Sequence, residues 1–442
     1  LKIEYLSSAV ILLSPKQEQY TMIKILRSHW VYFTIISGIL FLAGCASSFN
    51  PKPVEEARFM ERAQTKQKDG VTVTAAVLSA QESVEKFGAN LYRRNVQPVW
   101  LEIENKTDEP LRFLPLGLDP IYFTPLESAY LNRPAIRKSD HDEMDRYFYT
   151  RGIRTYIPPG NKVSGFVYSH LDEGTKAFNV DIIGQDNVIR NFTFFIAVPG
   201  IRVDHQNVDW ENLYAKDEVI DYDEAGLREA LQNLPCCTTN KKGTEQGDPL
   251  NIVVIGNHAD VYYAFIRAGW DETETIYRAS IFKTVRSFLF GGRYRYSPIS
   301  ALYVFGRPQD VAFQRARTSI HERNHLRLWL APMRFEGKYV WIGQISRDIG
   351  VRFTRKTITT HKIDPDVDET RNFLIQDLWY SQGLKTFGYV KGVGAAPYSE
   401  PRGNLTGDPY FTDGLRAILW VSSQPAAFTE VGWIDWEMPV RR

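Results

Sequence analysis

Cysteine is nearly missing from this chain. There are three in 442 residues, and two of them, Cys236 and Cys237, are adjacent. With Cys45 as the only other thiol, no disulfide framework is expected to hold the fold, and a vicinal redox pair is the sharper alternative use of the two neighbours. Net charge is missing as well. Fifty-three basic residues against 52 acidic ones leave +1, which is no electrostatic footprint for nucleic acid. Several motifs that would name a reaction are also absent. No G-x-G-x-x-G or G-x-x-x-x-G-K is present, so the lone Gly256 after the apolar run Ile252-Val253-Val254-Ile255 is a weak phosphate-loop signal. No G-x-S-x-G nucleophile elbow exists either.

What is present begins with an address. Residues 1–21 carry no recognisable function and read as an upstream extension. After Met22, Lys24 and Arg27 form a basic region, 31–40 an apolar one of signal-peptide length, and Leu42-Ala43-Gly44-Cys45 a cleavage box. The apolar stretch falls well short of the roughly 20 residues that a spanning helix needs. The box resembles the lipobox of bacterial lipoproteins, whose Cys is diacylated on sulfur and becomes the first mature residue, so residues 1–45 are expected to be a leader with Cys45 as the lipidation site. Ala46 in place of Asp points, by analogy with Gram-negative sorting, to the outer membrane facing the periplasm. Acyl chains would then anchor the chain without a spanning segment.

The body is expected to be α+β. Hydrophobic residues at 43% and aromatics at 13% are ample for a core. Polar residues 46–69 read as a tether with a helical turn near 54–62. Residues 70–203 carry alternating runs at 71–75, 100–105, 155–157, 163–168, 177–183 and 192–198, parted by turns such as Pro158-Pro159-Gly160, and suggest an antiparallel β-sandwich. A charged, Tyr-rich insertion at 119–151 interrupts it. Its acids Asp140, Asp142, Glu143 and Asp145 read as a solvated loop before they read as a cation site. Residues 204–249 form a join, with a helix over 224–234 and a linker over 235–249. Residues 250–442 are expected to be a mixed-sheet α/β layered domain: a strand, a helix over 259–268 ended by Gly269, a helix over 280–290, a strand at 301–305, a hairpin and helix, and closing strands at 389–393 and 415–421.

The hairpin and helix, residues 325–371, concentrate the polar chemistry. Leu326, Leu328 and Leu330 alternate with His325, Arg327 and Trp329, and a second extended run at 339–346 follows Glu336-Gly337, a natural two-residue hairpin turn. With those two as the loop, His325 faces Asp348, Arg327 faces Ser346 and Trp329 faces Gln344, at Cβ separations of about 4.5–5.5 Å. Pro332 lacks a ladder donor and marks an edge or a bulge that would shift this register. The following helix is expected to take Asp364 as N-cap and Pro365 as its first residue, with Asp366, Asp368 and Glu369 favoured by the dipole and Val367, Leu374, Ile375, Leu378 and Trp379 buried. His361, just before it, has no such explanation.

The blocks LNIVVIG, ALYVFGRPQDVAFQRA, NHLRLWLAP, VWIGQISRDIGV, THKIDPDVDETRNFL and YFTDGLRAILWV together resemble the LssY C-terminal domain family over about residues 250–422. The resemblance implies an envelope setting and no agreed reaction. The positions it carries over are His325, Arg327, Asp348, His361, Asp364, Asp366, Asp368, Arg371 and Asp413. Two tempting motifs inside them are discounted. His321-Glu322-Arg323-Asn324-His325 spells H-E-x-x-H, but a strand starts where a zinc-binding helix would have to run. Asp364, Asp366 and Asp368 open like an EF-hand loop, yet Ile375 stands where the bidentate Glu belongs.

Two functions follow as expectations. The first is a ligand-binding or accessory envelope module in which Arg327 and Arg371 take an anionic lipid or glycan while the sandwich docks an envelope protein partner. The second is a metal-dependent hydrolase acting on envelope phosphate esters or glycans, with His325 as a base oriented by Asp348 and with His361 and Asp364 or Asp366 holding a divalent metal. A purely structural His325–Asp348 pair is the plain alternative. No motif names a cofactor.

Overall fold

The computed structural model describes residues 47–52, 58–185, 187–200, 208–273, 300–316, 323–352 and 360–439. The leader with Cys45, the helix expected over 280–290 and His321 lie outside them.

The first body is the expected sandwich. Its elements are β1 (Gln64–Lys68), β2 (Val71–Val77), α1 (Ala80–Phe87), β3 (Val96–Asn105), β4 (Leu111–Leu114), α2 (Pro125–Asn132), α3 (His141–Arg151), β5 (Tyr156–Ile157), β6 (Lys162–His170), β7 (Gly174–Ile183) and β8 (Ile189–Val198). Two four-stranded antiparallel sheets, β1-β2-β3-β6 and β5-β4-β7-β8, close on Val71, Val73, Leu101, Ile103, Phe178, Val180, Phe192 and Phe194. Period-two alternation puts those side chains on the inner faces.

Two expectations are corrected here. Residues 64–68 are no tether, since β1 pairs along its whole length with β2. The 119–151 insertion is not a loop but a pair of helices. Thr124 and Glu127 form a capping box for α2, and Arg133 pairs with Asp145 across to α3. Asp140 is committed as well, because its Oδ2 accepts the Phe49 N–H at 2.9 Å.

The second body is built on a ten-stranded mixed sheet. Its elements are β9 (Ile220–Tyr222), α4 (Glu224–Asn233), β10 (Cys237–Thr239), β11 (Gln246–Pro249), β12 (Ile252–Ile255), α5 (His258–Arg267), β13 (Asp271–Glu272), β14 (Tyr303–Val304), β15 (Arg307–Pro308), β16 (Val311–Ala316), β17 (Arg323–Phe335), β18 (Lys338–Arg352), β19 (Thr360–Ile363), α6 (Val367–Tyr380), β20 (Leu384–Lys391), β21 (Arg402–Gly403), β22 (Pro409–Tyr410), β23 (Leu415–Val421) and β24 (Gly432–Ile434). Strand order is β13-β16-β17-β18-β12-β23-β20-β24, with β19 on β18 and β9 on β17. The strand β12 lies antiparallel to β18 and parallel to β23, and it is buried on both sides, which is why its sequence is continuously apolar.

The sheet divides the core in two. Leu326, Leu328, Ile345, Ile252 and Val254 point to one side, where α5 adds Val261 and Phe265 and α6 adds Leu374, Ile375 and Leu378. Trp329, Val253, Ile255, Val340 and Ile342 point to the other, where Leu227 and Leu231 of α4 cover them. The stretch expected as a linker over 235–249 is instead the hairpin β10-β11, in a small sheet ordered β11-β10-β14-β15. Cys236 and Cys237, at the start of β10, are joined to each other as a vicinal disulfide.

Candidate functional site

The hairpin β17-β18 turns where the sequence says it should. Glu336 and Gly337 have φ of 46° and 72°, the pair of left-handed residues that a type I′ turn demands. Next to the turn the expected register holds, with Phe335 opposite Lys338 and Arg334 opposite Tyr339. Beyond it the register shifts. Leu330 faces Trp341, so β17 holds two more residues than β18 between these pairs, around Pro332. The expected cross-strand partners are therefore corrected: His325 faces Ser346, Arg327 faces Gln344 and Trp329 faces Ile342. An even slip leaves every side chain on its expected face, because the strand period is two.

That parity preserves the central pairing. Asp348 lies diagonally from His325, and the imidazole Nε2–H donates to its Oδ2 at 2.6 Å. A carboxylate can only accept, which fixes the tautomer. Burial pushes the His325 pKa down to about 4, against the opposing pull of Asp348, so the ring is neutral at pH 7. Arg327 donates from Nη1 to Gln344 Oε1 at 2.8 Å and from Nε and Nη2 to the Ser300 carbonyl at 3.2 and 3.1 Å. Arg323, two residues before His325, donates to Gln314 Oε1 at 2.6 Å, and burial lowers its pKa against the pull of Asp348. From the covering β10-β11 hairpin, Asp248 accepts from Asn404 Nδ2 at 2.9 Å, and burial raises its pKa against the pull of Arg327. His325, Arg327, Gln344 and Asp348 are all buried. The group forms a polar layer in the interior held by these bonds, with Gln344 Nε2 making none among the described residues.

The remaining expected residues gather elsewhere. Asp366, and not Asp364, caps α6, accepting the Glu369 N–H at 3.1 Å. Asp364 instead accepts the Asp366 N–H, and Pro365 precedes the helix. Val367 opens α6 because the Asp366 side chain is the one placed over the N3 amide. Arg371 grips Asp413 through two parallel bonds of 2.8 and 2.9 Å, reaches the Leu415 carbonyl at 2.7 Å and lies 3.3 Å from Asp368. Asp368 in turn accepts from Thr412 Oγ1 and the Asp413 N–H, both at 2.7 Å. This network ties the first turn of α6 to the 411–415 loop, on the α6 side of the sheet. His325 and Arg327 share the Trp329 face, so Arg371 and Asp413 lie apart from them. His361 sits on β19, its backbone paired with Val351. Among the described residues, no three of His, Cys, Asp or Glu gather with the spacing of a metal site.

An open cleft lies at the other end of the same hairpin. It has a volume of about 810 Å³ and is walled by Trp210, Tyr214, His258, Arg334 and Tyr339, with Glu211 and Asp221 at its margin. Its aromatic walls are fixed by packing. The Trp210 ring meets His258 edge-on at 4.4 Å and Trp341 at 5.7 Å. Tyr214 donates to the Leu330 carbonyl at 2.7 Å and lies under Arg307, while Arg334 lies 4.7 Å from the Tyr339 ring centroid. Sequence reasoning missed these residues, because Trp210 and Tyr214 fall in a segment read as a join. The signal was there in two aromatics, Trp210 and Tyr214, within a run rich in Asp, Glu, Asn and Lys.

A second cleft, of about 440 Å³, lies between the two bodies. Its lining holds the pairs Asp119–His170 at 2.9 Å and Asp172–Lys176 at 2.6 Å, together with Asp181, which accepts from Asn191, and Arg267, which donates to Tyr263 and Gln382.

Residues 229–415 match the family model described as LssY C-terminus. The match starts inside α4 and takes in the β10-β11 hairpin, ahead of residue 250, the expected start of the resemblance. It contains the His325 layer and three of the cleft walls, His258, Arg334 and Tyr339, but neither Trp210 nor Tyr214. A search of curated proteins finds no match.

Proposed function

We propose that this chain, whose residues 229–415 form an LssY C-terminal-like domain, is a lipid-anchored protein of the bacterial envelope that binds a glycan in the cleft walled by Trp210, Tyr214 and Tyr339 and acts as an accessory module. The lipidated Cys45, the outer-membrane location and a protein partner on the sandwich belong to this reading. The leader from Met22 to Cys45 supports the anchor. No helix among the described residues is long and apolar enough to cross a membrane.

The observation that carries the ligand is the cleft itself. Binding sites are concave, with aromatic walls and a few polar groups at fixed positions. Pyranose rings present apolar C–H faces to aromatic rings, and their hydroxyls suit margins such as Glu211 and Asp221. Of the two expected ligands, an anionic lipid is the less supported, since Arg327 and Arg371 are buried and engaged by the protein. The test is titration calorimetry with soluble oligosaccharide fragments of the envelope against the wild type and Trp210→Ala. Losing one such aromatic anchor is expected to weaken binding about tenfold or more. Equal affinity in the variant would remove the cleft from consideration.

One observation favours the hydrolase as a second reading. A neutral imidazole held by a carboxylate at 2.6 Å is how a general base is oriented. Hydrolysis of a phosphate ester or glycan that disappears in His325→Gln while the fold is retained would support it.

A further inference from the structure

The chain is seated on the sandwich within two residues of Cys45. Ser47 forms a parallel bridge to Ile136, donating its N–H to the Ala135 carbonyl at 3.0 Å and accepting the Arg137 N–H at 3.0 Å. Phe49 follows into the core beside Tyr147, its N–H on Asp140. The segment expected to be a free tether is thus pinned to the end of the helical insertion. Two residues of chain reach at most about 7 Å, which bounds how far Cys45 can lie from Ser47.

Leading to that same point is an exposed apolar stripe, whose Tyr130 ring has the Arg133 guanidinium 5.4 Å from its centroid. Leu126, Tyr130 and Pro134 follow at intervals of four along α2 and its continuation, and all three face solvent. Leu126 is 50% and Tyr130 66% exposed, uncommon for residues that the buried face of the same helix, Ser128, Ala129 and Asn132, leaves to small and polar types. Tyr149, on the adjoining α3, is 67% exposed. Arg133 and Arg137 flank the anchor point paired with Asp145 and Asp140, and exposed Lys138 lies beside them. From Tyr130 to Ala135 the helical rise amounts to only about 8–10 Å.

We propose that α2 lies on the surface of the bilayer, with Leu126, Tyr130 and Pro134 in the headgroup layer of the leaflet that holds the acyl chains on Cys45. The inference rests on the lipid-anchor reading above. An acylated Cys45 brings the stripe to within the thickness of the interfacial region, and the anchor turns a weak second contact into an intramolecular one. Tyrosine suits that layer, with its ring among acyl chains and its hydroxyl in water, and the flanking Lys138 suits a lipid phosphate. The body would then stand on the membrane in one orientation, fixed by α2.

The test uses the full chain expressed in its host, with Tyr130→p-benzoylphenylalanine as a photo-crosslinker and Tyr398, 81% exposed on the second body, replaced likewise as the control. Acylation of Cys45 is read by mass spectrometry on the same sample. The proposal expects a phospholipid adduct at position 130 and none at 398. An acylated chain that gives no adduct at 130, or an adduct to another protein or to a second copy, overturns the docking and leaves the anchor standing. A chain without acylation at Cys45 overturns both. A variant carrying Leu126→Asp and Tyr130→Asp should keep its acyl chains and membrane retention yet lose about tenfold in lipid adducts from a crosslinker at Pro134, and an unchanged yield there also counts against the proposal.

Discussion

Removing Asp413 should destabilise the second body without touching the ligand. The Arg371 side chain is 1% exposed, and its charge is balanced by the bidentate pair with Asp413 and by Asp368 at 3.3 Å. Taking one partner from a buried ion pair leaves a charge that water cannot reach, at a cost of about 3–5 kcal/mol. Asp368 remains as a second carboxylate, so the lower end applies to Asp413→Ala. Against a total stability of roughly 5–15 kcal/mol this is a large fraction. For a urea slope near 2 kcal/mol/M, the midpoint should fall by about 1.5 M. The assay is urea denaturation followed by tryptophan fluorescence, in a cycle with Arg371→Met and the double variant. The double variant should recover part of the loss, with a coupling energy of about 1–3 kcal/mol. An Asp413→Ala midpoint within about 0.2 M of the wild type would refute the assignment of Arg371 as a clamp and return it to the list of anion-binding residues.

Stability should also depend on pH through His325. Its folded pKa, about 4, lies below the unfolded value near 6.5, so the unfolded chain binds the extra proton as pH falls through that interval. The neutral ring is fully compatible with the fold above the unfolded value. Stability is lost between about pH 6.5 and 4 and levels off below, by an amount on the order of 3 kcal/mol. His325→Asn removes this contribution, so the difference between wild-type and variant unfolding free energies should shrink over that window, and a constant difference would contradict the assignment. In the sheet beneath, a Cβ on Gly343 would meet Ile252 Cγ1 and Leu328 Cδ2 at 2.7 Å, both in a packed core. Gly343→Ala is therefore expected to cost about 1–3 kcal/mol, read as a fall in melting temperature, and a neutral result would show that this layer gives way.

Much of this architecture is legible in the sequence, for identifiable reasons. Long alternating runs, the Glu336-Gly337 turn and the apolar run at 252–255 each have one good structural solution. The hairpin at 237–249 was hidden because strands of three and four residues, built from Thr, Gly, Asp and Pro, look like a linker. The slip around Pro332 could be suspected but not counted, and its even size is why His325 and Asp348 still meet. Arg371 and His325 were grouped because the family resemblance carries both positions over. Nothing in their spacing reveals that a helix on one side of the sheet carries the first and a strand face on the other side the second. Trp210 and Tyr214 were passed over because periodicity says nothing about side chains in irregular segments.

The central claim is that the ligand belongs in the aromatic cleft and that the buried His325 layer is interior structure. The direct measurement is glycan affinity by calorimetry for the wild type, Trp210→Ala and Arg327→Gln, each first shown to be folded. The account predicts a loss of about tenfold or more for Trp210→Ala and an affinity close to wild type for Arg327→Gln. The opposite pattern, with binding lost at Arg327 and kept at Trp210, would contradict it.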